Sequence, residues 1–309
     1  MAIARRRRGG NMRRVRVIGK WIGVLLGGLA LTGLVLFGVA TWAYGSRAEA
    51  RYRPAPHELE IPALDEESRE EAARLYRARG CADCHGDDGA GAVLIDAPPL
   101  FVAGPNLTTS VTSMSGSALH GLIRRGVKPS GEPVFFMPSH EYVRMPDEEL
   151  GLIVAHIRSL PTRDGGPPPS ELRPLGRVLA LFGVFDSPLL PAEVIDQDAP
   201  PSPLSDAELG EYLAAGCRGC HGQGLSGGPI PGAPEEETGI PRNLTPHETG
   251  LAGWSLEDLR TALRTGQTPN GPLNTQMMPV SATRHMSDRE IEALYAYLQS
   301  VEPRPFGGR

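Results

Sequence analysis

Two five-residue stretches carry the chemistry open to this chain of 309 residues: Cys81-Ala-Asp-Cys84-His85 and Cys217-Arg-Gly-Cys220-His221. In a Cys-x-x-Cys-His run the two thiols are spaced to add across the vinyl groups at a porphyrin edge, and the adjacent imidazole reaches the iron. Two copies predict two covalently bound c-type haems, with His85 and His221 as iron ligands. Paired cysteines also serve as thioredoxin-like redox couples or as halves of zinc sites. A redox couple has no need of a histidine after each second cysteine, and a zinc site needs a further Cys or His pair in each half. The four cysteines of the motifs are the only ones in the chain. None is left for a disulfide or a thiolate ligand.

The elements that must hold the motifs recur in one order. Residues 65–79 are rich in helix formers, acids first and arginines last as the helix dipole favours, and Gly80 is placed to stop them. A glycine-rich loop and Gly104-Pro-Asn-Leu-Thr108 follow the first motif, then a helix over 117–125 closed by Gly126. The next stretch, through Met137-Pro138, reads as extended because proline disfavours helix in the residue before it. A helix over 147–160 carries Leu150, Ile153, Val154 and Ile157 on one face. In the second half Ser205-Asp-Ala-Glu208 is a capping box opening a helix expected to stop at Gly216. After the second motif come a Gly/Pro-rich loop with Arg242-Asn-Leu-Thr245, a helix from Trp254 to Gly266, Met278-Pro279, and Ser287-Asp-Arg-Glu290 capping a final helix. Asn106 falls on Asn243, Gly126 on Gly266, Met137 on Met278 and Met145 on Met286. One unit of about a hundred residues is duplicated.

The formal charge of −5 hides an asymmetry, because residues 1–20 hold eight Arg or Lys and no acid, leaving −13 on the remainder. Such a basic cluster can mimic a nucleic-acid patch. Here it directly precedes an uncharged apolar stretch, residues 21–44, long enough to cross a bilayer, with Trp21 at one end and Trp42 and Tyr44 at the other as interfacial anchors. The positive-inside rule then puts the N-terminus in the cytoplasm and the haem-bearing parts in the periplasm of a bacterial inner membrane. A cleaved signal peptide has a shorter apolar core, of roughly 7 to 15 residues, so the reading is a retained single-span anchor. The expected organisation is a basic segment and anchor over 1–45, a tether over 46–64, a first domain over 65–163, a proline-rich linker over 164–203 and a second domain over 204–303. The linker contains one apolar island, residues 175–185, read as a helix packed on one or both domains or as a clasp between the haems.

With both motifs, Gly104-Pro-Asn-Leu107, Asn243-Leu-Thr-Pro246, both Met-Pro dipeptides and Met286-Ser-Asp in place, each half resembles a class I cytochrome c domain. The whole is similar to membrane-anchored dihaem cytochromes c and to the cytochrome c subunits of bacterial membrane-bound alcohol and sugar dehydrogenases. The resemblance implies an all-α fold, first and last helices crossing near the haem edge, and electron carriage between redox partner proteins. It also implies a methionine as sixth iron ligand, which places Met137 and Met278 in that role. A thioether is soft and neutral and raises the potential. Met277, the matched pair Met145 and Met286, and His120, His140 and His285 are the rival ligands. The family pattern points to the carbonyls of Pro105 and Pro241 as acceptors for the proximal imidazoles, and Asn106, Asn243, Arg242 and Trp254 are candidate propionate partners.

Two classes of function compete. A relay fills both axial positions from the protein and transforms no substrate. A dihaem peroxidase, a thiosulfate-oxidising enzyme or a gas sensor needs an iron with an open, switchable or unusual ligand, whereas each half offers a methionine of its own and the chain has no spare cysteine.

Overall fold

A computed structural model describes residues 3–185, 189–195, 204–230, 239–275 and 277–309, with side chains from residue 15 onward. It begins with one long helix, α1 (Ile3–Ala48). Within it Val15–Ala48 reaches a mean hydropathy of 2.3, long and apolar enough to cross a membrane. Its leucines point outward, Leu25, Leu29 and Leu34 each more than 60% exposed, as expected of a helix whose solvent is lipid.

Residues 46–64, expected as a tether, are instead bound to the first half. Arg47 forms a two-pronged ion pair with Glu193, its Nε 2.7 Å from Oε1. Tyr52 N donates to Gly131 O at 2.8 Å, and Arg51 meets Glu132 at 2.9 Å. Further along, Leu59 is 6% exposed. The segment lies so close that a Cβ on Gly116 would sit 2.4 Å from Leu59 O, and one on Gly151 would sit 2.5 Å from Glu60 O. Two glycines thus make room for what composition alone reads as a spacer.

The first half runs α2 (Glu66–Ala78), α3 (Cys81–His85), β1 (Ala92–Ala97), β2 (Leu100–Gly104), α4 (Leu107–Ser110), α5 (Gly116–Arg125), α6 (Ser139–Tyr142) and α7 (Asp147–Ser159). After β3 (Glu171–Leu172) and α8 (Pro174–Leu181), the second half runs α9 (Asp206–His221), α10 (Leu256–Thr265), β4 (Gln267–Thr268), β5 (Gly271–Pro272), α11 (Val280–Thr283) and α12 (Asp288–Ser300). In each half the first and last helices pack on each other, α2 on α7 and α9 on α12. Capping boxes start α2, α9, α10 and α12 through Asp65, Ser205, Ser255 and Ser287. Each such cap is worth about 1 kcal/mol, which is why sequence located these starts well.

Helices dominate, but the all-α expectation needs one correction. The glycine-rich loop after the first motif opens into a hairpin, β1 antiparallel to β2 with a bulge between Val93 and Ile95, and β2 pairs on its other side with β3 through Leu100–Leu172. Ala-Val-Leu-Ile and Leu-Phe-Val flank the turn at Pro98 and Pro99, a strand-forming composition on either side of a breaker. Leu100, Phe101 and Val102 are buried. The corresponding loop of the second half, at 231–238, lies outside the described residues.

The apolar island forms α8, whose main neighbour is α1. Ala180 and Phe185 also pack against Leu100, Val102, Leu172 and Leu189. The rest of the linker, at 186–188 and 196–203, lies outside the described residues.

The two halves share a core. Leu209, Tyr212 and Ala293 of the second half belong to the same buried cluster as Leu75, Tyr76, Leu150 and Ile153 of the first. Their contact is reciprocal, as in an isologous dimer: α6 touches α9, while α11 touches α2 and α3. Glu149 and Glu290 occupy equivalent positions in α7 and α12, and both converge on Arg79. The Arg79 side chain is 4% exposed and lies 2.9 Å from Glu149 through two nitrogens, with a further hydrogen bond to Glu290. Arg74 adds a second contact to Glu290 at 2.7 Å, and the Tyr212 ring lies 5.5 Å from the Arg79 guanidinium carbon.

Candidate haem sites

The two attachment motifs enter by different backbone routes. In the first half the helix breaks: Gly80 takes φ 73° and the motif forms a separate turn, α3. In the second half the helix expected to end at Gly216 continues through it, so α9 carries the whole motif to His221. The difference has a local cause. The Tyr142 hydroxyl donates to the carbonyl of Arg79 at 2.9 Å, which draws that carbonyl out of the helical ladder. At the position of Tyr142 the second half has Thr283, which donates to Leu263 O at 2.7 Å instead.

Beyond the motifs the two backbones coincide again. Gly91 N donates to His85 O at 2.8 Å and Gly227 N to His221 O at 2.9 Å. Leu107 N donates to Gly89 O and Leu244 N to Leu225 O, both at 2.8 Å. The last pair is informative, because Gly89 has φ 70° and Leu225 has φ 57°. A buried leucine holds the left-handed conformation that glycine holds in the other half, so the turn is imposed by its surroundings.

These turns bring the carbonyl of the residue before each asparagine to the proximal imidazole. His85 Nδ1 lies 3.0 Å from Pro105 O, and His221 Nδ1 lies 2.6 Å from Arg242 O. The acceptor in the second half is therefore Arg242, and the assignment of Pro241 is corrected; the Pro241 carbonyl accepts from Gly228 N at 3.0 Å. Counting from asparagine gives the right residue where matching proline to proline gives the wrong one. Asn106 Oδ1 accepts from Thr108 N and Asn243 Oδ1 from Thr245 N, each at 2.9 Å, and these bonds fix the chain one residue upstream.

The same asparagines are not free to meet propionates. Asn106 Nδ2 donates to Arg163 O and Gly165 O, both at 2.9 Å. Asn243 Nδ2 donates to Arg304 O at 2.7 Å and Thr249 Oγ1 at 3.0 Å. Trp254 packs against the second core.

A carbonyl only accepts, so in both sites Nδ1 is the protonated nitrogen and Nε2 keeps its lone pair for a metal. Burial lowers the pKa of both imidazoles and favours that neutral form. Burial also pushes the Cys81 and Cys217 thiols up to about 12, the opposite of what a thiolate nucleophile or zinc ligand needs. Neutral thiols in an apolar setting beside a carbonyl-oriented imidazole fit a thioether-linked haem. In the first half β2 presses on the motif, since a Cβ on Gly104 would fall 2.0 Å from Cys84 O.

The methionine loops match in detail. Ser139 N donates to Met137 O at 2.8 Å and Val280 N to Met278 O at 2.7 Å. The intervening prolines, Pro138 at φ −79°, ψ 51° and Pro279 at φ −76°, ψ 65°, are inverse γ-turns. Met137 is half-buried, and Met278 packs against the second core whereas Met277 is 38% exposed. Met145 and Met286 are buried at 1% and 6% within the two cores. Phe136 before Met137 has φ 66°, a strained conformation with no counterpart before Met278.

Two residues next to these loops carry no signal in the sequence. The Glu141 carboxylate reaches across to the second motif, where a Cβ on Gly219 would lie 3.3 Å from its Oε1, and burial pushes its pKa up to about 8. On the other side Ser281, one residue before the position that matches Glu141, hydrogen-bonds Asp83 within the first motif. Both contacts join distant parts of the chain, which no local pattern reports.

Among the described residues one further group of metal-capable side chains comes together, His57, His120 and Asp147, with ligand atoms within 4.8 Å of one another. The His57 and His120 rings are stacked at 4.2 Å, so their in-plane lone pairs run side by side instead of converging. Asp147 is already taken by His57 at 2.7 Å and by Arg124 at 2.6 Å. His120 is 3% exposed, and burial lowers its pKa to about 4. The cluster binds the incoming segment to α7, and His120, a rival ligand by sequence, is a core residue stacked on His57.

Paired helical units, each presenting two thiols and a carbonyl-held imidazole, fit covalently bound c-type haem. Residues 70–161 and 207–302 each match cytochrome c, together more than half the chain, and the chain belongs to the cytochrome c family. It is 25% identical over 279 residues to the cytochrome c subunit of a quinone alcohol dehydrogenase from Gluconacetobacter polyoxogenes, covering 80% of this chain and 58% of that subunit. A dihaem c-type cytochrome from Cereibacter sphaeroides is 28% identical over 262 residues, covering 74% and 84%. The cytochrome c subunit of gluconate 2-dehydrogenase from Pantoea cypripedii is 40% identical over 102 residues, covering 30% and 23%. The chain thus spans under three fifths of the alcohol dehydrogenase subunit that it matches.

Proposed function

We propose that this chain is a dihaem electron carrier, anchored in the bacterial inner membrane by α1, with its N-terminus cytoplasmic and both haem domains periplasmic. The observation that carries the reading is the doubled site: two Cys-x-x-Cys-His turns whose imidazoles each present Nε2 while a backbone carbonyl holds Nδ1. When bound, each haem supplies a one-electron Fe(II)/Fe(III) couple. Cys81, Cys84, Cys217 and Cys220 would attach the haems, His85 and His221, each oriented by a backbone carbonyl, would bind the irons, and Met137 and Met278, on stiff proline turns, would complete the ligand sets. The donor is the catalytic subunit of a membrane dehydrogenase, in keeping with the relatives' roles, and the acceptor is a respiratory partner such as a terminal oxidase or a soluble cytochrome.

Carbon monoxide titration of the ferrous, detergent-solubilised protein tests the relay. Two haems sealed by methionine leave the spectrum unchanged on mixing, and Met137→Ala and Met278→Ala each open one haem to the gas. Rapid binding at either haem of the unaltered protein would instead show an open iron and favour an enzyme or a sensor.

A further inference from the structure

The apolar side chains left uncovered on α8 have a specific location, set by α1. Residues 21–44 hold no charge, and the charged residues before them, Arg16 and Lys20, bound the span on the cytoplasmic side. A hydrocarbon core about 30 Å thick takes about 20 helical residues at 1.5 Å each, so a span beginning at Trp21 reaches the far boundary near Ala40. Ala40 is 1% exposed and Ala43 and Tyr44 are half-buried, so the outward-facing apolar surface of α1 ends here, in a helix that α8 packs against. The Arg177 guanidinium stacks over the Tyr44 ring at 5.9 Å, one helical turn further out. Leu175, Leu181 and Phe182 are 50%, 40% and 66% exposed, and Trp42 is 74% exposed. Arg177 is the one charged residue between Pro174 and Phe185.

We propose that α8 is a second membrane contact, a short helix lying in the outer lipid interface with Leu175, Leu181 and Phe182 among the upper acyl chains. The proposal rests on the anchored reading of α1. Lipid is the occupant because the helix is continuous with the span: a surface touching α1 at Tyr44, one turn past the far boundary, stands at the acyl–headgroup border, where apolar side chains meet lipid before water. An apolar face with a single cation suits that boundary, as in interfacial helices whose polar side faces headgroups. With Arg47 paired to Glu193 and α8 seated on lipid, the first haem domain is held against the membrane at a fixed height and tilt.

The test uses the full haem-loaded chain in vesicles of phosphatidylcholine and phosphatidylglycerol. All native cysteines lie in the attachment motifs, so a single added cysteine can carry an environment-sensitive fluorophore. Labels at Phe182→Cys, Leu29→Cys and Glu248→Cys are challenged with lipids bearing a nitroxide high on the acyl chain and with aqueous iodide. Quenching of the labels at 182 and 29 by the lipid nitroxide, with the label at 248 quenched only by iodide, is the expected result. Lipid quenching at 29 with iodide quenching at 182 would overturn the α8 contact and leave the anchor intact. Absence of lipid quenching at 29 would overturn the anchor and the contact together. Shielding of position 182 from both quenchers would show a protein surface over α8, a partner subunit or a second copy, and would also overturn the proposal. Phe182 is mostly exposed, so its replacement leaves the core unaltered, and covalent haem content confirms folding.

Discussion

The two halves of this chain hold the same chemistry with different supports. The first is braced by a sheet, by the segment leaving α1 and by a helix break at Gly80; the second carries its motif on one unbroken helix. What does not vary is the hydrogen-bond frame: a carbonyl to Nδ1 one residue before an asparagine, a glycine N–H to the histidine carbonyl, and a γ-turn after methionine. The imidazole is positioned by backbone, and side-chain identity around it is free to drift, as Pro105 against Arg242 and Gly89 against Leu225 illustrate.

The sharpest way to break this comparison is to remove one site. Changing Cys217 and Cys220 to Ser, or Cys81 and Cys84 to Ser, is expected to leave one covalent haem in place of two, read by intact-mass measurement and by haemochrome absorbance. Retention of two haems by either variant would contradict the assignment. Next in size is the shared centre. Arg79→Ala leaves Glu290 buried with only Arg74 beside it and Glu149, half-buried, without its cation, and loss of one partner of a buried pair costs up to about 3–5 kcal/mol. Denaturant titration should show that loss in both halves at once, since the cluster spans them, with haem content unchanged.

Glu141 sharpens the contrast through pH. Burial raises its folded pKa to about 8 from the ordinary value of 4.5, so between these values the folded state holds a proton that the unfolded state has released. Stability is therefore fully present below the lower value and falls as pH rises towards the upper. Glu141→Gln is expected to flatten that decline, measured by denaturation at about pH 5 and about pH 8; an unchanged slope would place the cause elsewhere. The smallest effect belongs to Tyr142→Phe, which frees the Arg79 carbonyl. A loss of about 1 kcal/mol is expected for one hydrogen bond, and hydrogen exchange should show the amides around Gly80 becoming more protected as the first motif moves towards the continuous helix seen in the second.

Much of this was legible in the sequence because it is local. The motif spacing, the capping residues Ser205 and Ser287, and the closing glycines Gly126 and Gly266 act within a few residues of themselves. The misreadings are those in which a distant partner decides. Gly216 was expected to end a helix, yet Thr283, at the place of Tyr142, donates to Leu263 O and leaves the Ala215 carbonyl within the helix. Residues 46–64 read as a tether because the two glycines that admit Leu59 and Glu60, Gly116 and Gly151, lie far along the chain. Pro241 was chosen by residue type where the frame counts from Asn243. The contacts of Glu141 and Ser281 across the halves belong to the assembled pair and to neither repeat alone.

Arg79 illustrates what joining the repeats permits. Two separate identical subunits meeting through this surface would each deliver an arginine to the same small space, and two like charges would compete for one pair of carboxylates. In a single polypeptide the matching site is Ala215, so one cation serves both sides without a rival. Covalent fusion turns a contact that self-association would penalise into a permanent keystone, and it binds each half to this one neighbour in place of a copy of itself.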